Sequence, residues 1–84
     1  MTKEEFEKLN QFVLQQLKKE NPFIITTSKL FAEINCDLNL KEGHNKLYDE
    51  FLEYSKKFGP NYFAKTRHRV KNPDIQFDIE FTSL

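Results

Sequence analysis

The dipeptide Gly59-Pro60 divides this chain into two hydrophobic rhythms. Before it, apolar side chains recur every third or fourth residue, the spacing of one face of a helix. After it the spacing falls to two: Ile75, Phe77, Ile79 and Phe81 alternate with Gln76, Asp78 and Glu80, as a half-buried strand requires. A chain that changes period once, at a residue pair suited to ending a helix, is expected to fold as helices packed on a C-terminal hairpin. The predicted class is α+β, with three helices followed by an antiparallel β-hairpin.

The helices can be placed from their caps. Thr2 with Glu5 three residues on has the form of a capping box, and Phe6, Leu9, Val13 and Leu17 make one apolar stripe, so the first helix spans 2–20. Asn21-Pro22 ends it, because proline lacks an amide and disfavours the helical region for the residue before it. Phe23-Ile24-Ile25 reads as a short extended segment crossing the core. Thr26, Thr27 and Ser28 are all competent N-caps for a second helix over 27–36. Asn39 with Glu42 suggests a further cap before a third helix over 40–58, lined by Leu47, Phe51, Tyr54 and Phe58. Gly43 lies inside that range at a cost of about 1 kcal/mol relative to alanine. Either the helix starts nearer Asn45, or a close backbone approach needs the glycine. The hairpin spans 62–82 about a turn at 71–74, which sets Lys65 against Glu80, Thr66 against Ile79, Arg67 against Asp78, His68 against Phe77 and Val70 against Ile75.

Length and composition narrow the function. Eighty-four residues support one core, so residues 1–84 are read as one domain. Nine Phe and three Tyr without Trp would fill it with few side chains. The single cysteine, Cys36, allows no intrachain disulfide, which favours a reducing, cytoplasmic setting. Charged residues stand where a secretory leader would be apolar, and no run approaches the ~20 apolar residues of a membrane span. Thirteen basic and thirteen acidic residues cancel, so attraction to a polyanion would have to come from a local patch.

From Thr26 onward the chain resembles the winged helix-turn-helix family. The similarity rests on element order and hydrophobic spacing: Thr-Ser-Lys-Leu-Phe-Ala-Glu-Ile at 27–34, a polar connection, then Asn45-Lys46-Leu47-Tyr48 through Phe58-Gly59, and the hairpin. The resemblance implies a recognition helix over 40–58, a wing over 65–74 and a DNA-binding regulator or replication accessory factor. Glu42, Asp49, Glu50 and Glu53 depart from that expectation, since carboxylates beside a phosphate backbone are unfavourable.

Two groups of residues are candidates for contacting nucleic acid. In the wing, Lys65, Arg67, His68, Arg69 and Lys71 form a basic run; Asp78 and Glu80 would offset Arg67 and Lys65 across the strands, leaving Arg69 and Lys71 for phosphate. On the third helix, Lys41, His44, Asn45, Lys46, Tyr48 and Asp49 would face the bases or their backbone. An ordinary solvated surface accounts for the same charges. Phe77, Ile79 and Phe81 read as core, while Tyr62 and Phe63 suit either core or an exposed platform. No nucleophile constellation, paired metal-ligand spacing or phosphate loop is present, so no catalytic residue, metal or cofactor is expected. The expected partner is double-stranded DNA, with a homodimer possible; the competing reading is an adaptor or inhibitor, phage- or plasmid-encoded for example, that uses the same scaffold against a protein.

Overall fold

A computed structural model describes residues 1–34, 43–59, 61–67 and 76–84. Three helices, α1 (Lys3–Lys19), α2 (Thr27–Phe31) and α3 (His44–Phe58), pack on a three-stranded antiparallel sheet of β1 (Phe23–Thr26), β2 (Tyr62–Arg67) and β3 (Asp78–Ser83). The class is mixed α+β, as its periodicities predict. Among the described residues, no helix is long and apolar enough to cross a membrane.

The sheet corrects the two-stranded expectation. Its order is β1-β3-β2, so the strand latest in sequence lies in the middle. Phe23-Ile24-Ile25 is a third strand because its side chains alternate: Phe23 and Ile25 pack toward the helices, opposite Phe81 and Ile79, while Ile24 points outward opposite Glu80. A continuous apolar run conceals that alternation. Between β2 and β3, Lys65 faces Glu80, Thr66 faces Ile79 and Arg67 faces Asp78, the register expected from the sequence. The expected pairs at His68 and Val70–Ile75 lie outside the described residues.

Each helix boundary has a local cause. Thr2 and Glu5 close the expected capping box: Glu5 N–H donates to Thr2 Oγ1 at 3.1 Å and Thr2 N–H to Glu5 Oε1 at 2.7 Å. Of the three possible caps for α2, Thr26 is the one used, its hydroxyl accepting from Lys29 N–H. α2 stops at Phe31, short of the expected 36, because the amides of Glu33 and Ile34 donate to Leu30 and Phe31, three residues back, instead of continuing the α ladder; residues 35 and 36 lie outside the described set. α3 starts at His44 rather than 40. Gly43 has φ of +76°, a conformation closed to a helix, and serves as N-cap; the expected cap at Asn39 and Glu42 lies outside the described residues. Gly59, at φ of +61°, closes α3 and donates to Ser55 C=O.

Aromatic rings join the layers. Phe81 on the central strand meets Phe23, Phe51 and Tyr62 at centroid distances of 6.3, 6.1 and 5.5 Å. Phe6 of α1 packs on Phe51 and Tyr54 of α3. The inner face of the sheet is thereby sealed. Its outer face presents Phe63, Lys65 and Arg67 from β2 beside Asp78 and Glu80 from β3.

Candidate nucleic-acid interface

At one end of the molecule the starts of α2 and α3 meet the start of β3. Thr27 Oγ1 lies 2.8 Å from His44 Nδ1 in a buried hydrogen bond and accepts from Phe77 N–H at 3.2 Å. Thr27 N–H donates in turn to Phe77 C=O at 2.9 Å. Tyr48, one turn along α3, stands edge-on to the Phe77 ring at 5.4 Å. This knot holds the N-terminal end of α3 against the end of the sheet where Thr26, Asp78 and Arg67 share a register row.

The knot overturns two expected surface roles. His44 and Tyr48 are 3% and 2% exposed and belong to the core, so neither side chain can reach a base. The physical reason is helical phase. A helix starting at His44 turns positions 44, 47, 48 and 51 inward together. His44 and Tyr48 share that face with Leu47 and Phe51 wherever the helix begins, so the spacing itself opposes an outward placement of either. The available signal was this spacing, three residues from His44 to Leu47 and from Tyr48 to Phe51; the bond to Thr27, seventeen residues away in sequence, leaves no such mark.

What α3 turns outward is Lys46, Asp49, Glu53, Lys56 and Lys57, with Asn45 and Leu52 half-buried at the margins. Three lysines oppose two carboxylates. The charges are interleaved along the helix, so the face is amphoteric. Arg67 is exposed at the end of β2. Asn45, Lys46 and Arg67 are thus the expected contact residues that the described structure leaves at or near the surface; Lys41, Arg69 and Lys71 lie outside the described residues. Across the sheet, Lys65 and Arg67 face Glu80 and Asp78. The ion pair formed between described residues joins the Met1 amine to Glu50 at 3.1 Å.

The aromatic candidates separate. Tyr62 is buried and its hydroxyl donates to Asn10 Oδ1 at 2.7 Å. Desolvation holds that phenol above its ordinary pKa. Phe63, one residue on and on the opposite face, is 63% exposed. Beside it a cleft of about 370 Å³ runs between α3 and β2, lined by Leu52, Ser55 and Lys56 on one wall and Tyr62 and Ala64 on the other. Ser55 Oγ is buried at that wall without a hydrogen-bond partner among the described residues. Among the described residues, no three His, Cys, Asp or Glu side chains gather as metal ligands would.

Comparison of the chain with protein-family models, with curated proteins and with solved structures found no match.

Proposed function

We propose that the chain is a winged-helix nucleic-acid-binding domain, a non-enzymatic intracellular factor that meets duplex DNA with the N-terminal end of α3 and the β2–β3 end of its sheet. The observation that carries this reading is topological: the order α1-β1-α2-α3-β2-β3, with strands arranged β1-β3-β2, is the arrangement expected of a winged helix, down to the short strand between the first two helices. Lys46 and Arg67 lie at the end of α3 and of β2 that such a domain would turn to DNA, and Asn45 is a residue able to address a base edge. The residues joining β2 to β3 continue the basic sequence with Arg69 and Lys71.

The interleaved carboxylates of α3 imply weak binding that neutralises few phosphates. Titrating labelled duplex DNA at low and moderate salt tests the proposal. The expected result is salt-sensitive binding that weakens about tenfold in the Lys46→Ala, Arg67→Ala double variant. The salt slope of that variant should be shallower by about two, near one for each phosphate no longer neutralised. Absence of binding at both salts overturns the proposal. So does binding indifferent both to that double variant and to Arg69→Ala with Lys71→Ala.

One observation favours a protein contact elsewhere on the molecule: the exposed ring of Phe63 beside the cleft between α3 and β2. That surface is remote in character from the basic end, being apolar and bordered by a strand edge.

A further inference from the structure

Among the described residues, the outer edge of β2 is an unused hydrogen-bonding template. Leu84 N–H donates to Asn61 C=O at 3.1 Å, and these two residues continue the β2–β3 register. Asn61 therefore turns its amide and carbonyl toward β3. By the alternation of an antiparallel ladder, Phe63, Lys65 and Arg67 do the same, while Tyr62, Ala64 and Thr66 turn theirs away. With β1 on the other side of β3, no strand among the described residues receives these outward groups, and none of them is hydrogen-bonded there. Exposed strand edges of this length are usually covered, bent or blocked by charge.

We infer that this edge pairs with the same edge of a second copy of the chain, antiparallel about a two-fold axis at Ala64, giving one continuous sheet ordered β1-β3-β2-β2-β3-β1. The side chains select the register. With Ala64 on the axis, Tyr62 faces Thr66 of the second copy and Ala64 faces its counterpart. Three close pairs result, exchanging about six backbone hydrogen bonds. Phe63 of each copy then faces Lys65 of the other on the outer surface, a ring opposite an ammonium group, which is favourable. Moving the axis to Lys65 sets that lysine against its own copy, and moving it to Thr66 sets Lys65 against Arg67. Both oppose like charges. Moving it to Phe63 forfeits one close pair.

A second copy fits this surface better than a strand of strong single charge. The edge region carries both signs, Lys65 and Arg67 beside Glu80 and Asp78, and the whole chain has a formal net charge of zero, so two copies approach without net repulsion. Pairing also shields the exposed Phe63 ring and closes the cleft whose wall contains the orphan Ser55 hydroxyl. The assignment is independent of the DNA reading, because it assigns no role to Lys46 or Arg67 in binding phosphate.

Sedimentation equilibrium from micromolar to near-millimolar chain, with circular dichroism to verify folding, tests it. Wild type should rise to the mass of a dimer. Phe63→Lys places like charges across the axis and should remain monomeric, whereas Phe63→Glu, facing Lys65 of the second copy, should retain the dimer. Ala64→Pro removes an outward amide without removing a bond to β3, and should also remain monomeric. A dimer that withstands Phe63→Lys, or is lost equally in Phe63→Lys and Phe63→Glu, overturns the register. A wild type monomeric throughout overturns the second copy as occupant and leaves the edge to a strand from another protein.

Discussion

Tyr62 shows how much a single residue can carry. Its ring fills the core against Phe81, and its hydroxyl ties β2 to Asn10 of α1. Because burial raises the phenol's pKa above the ordinary value of 10.0, the unfolded chain ionises this group first as pH climbs. The folded state then binds more protons than the unfolded one, so stability attributable to Tyr62 is intact below pH 10 and falls above it, by at most about 1.4 kcal/mol per pH unit. Urea denaturation across the alkaline range should show a steeper loss in wild type than in Tyr62→Phe. At neutral pH that variant should be about 1 kcal/mol less stable, because the bond to Asn10 is gone. Side-chain type does not separate Tyr62 from Phe63, both aromatic at a strand start, but the register does: Thr66 opposite Ile79 puts Ala64 and Tyr62 on the core face and Phe63 on the other. The same holds for His44, which precedes Leu47 by three residues and Phe51 by seven and so falls on the inward stripe of α3 whichever residue begins the helix.

At the scale of elements, local chemistry was the most readable. Thr2 with Glu5, Asn21-Pro22 and Gly59-Pro60 mark boundaries because their effects depend on near neighbours. The β2–β3 register was legible too, because alternation and opposite charges agree on it. Pairing of β1 with β3 was not, since it joins residues distant in sequence and leaves no mark in a four-residue apolar strand. Gly59 gives a test of the readable kind. Its φ of +61° is left-handed and a methyl group there would meet no atom within 4 Å. Gly59→Ala should therefore cost about 1 kcal/mol of backbone strain alone, and Gly59→Asn should recover part of it. Thermal denaturation of the two variants side by side measures the difference.

Across the whole molecule, cohesion converges on Phe81, fully buried and packed against rings from β1, β2 and α3 at once. Truncation there loosens every layer. Phe81→Ala should cost about 3–5 kcal/mol, a large share of the roughly 5–15 kcal/mol typical of a whole domain, and should leave much of the chain unfolded at body temperature by circular dichroism. Phe81→Leu should stay folded. The position of this residue on the middle strand also has a consequence in time. Thr27, beside β1, bonds to Phe77, fifty residues later, and β2 likewise waits for β3. A ribosome making this chain releases both outer strands before the strand that joins them exists. α1 can form as it emerges, whereas the sheet must assemble late and in a single closing step, with the two waiting strands exposed until then.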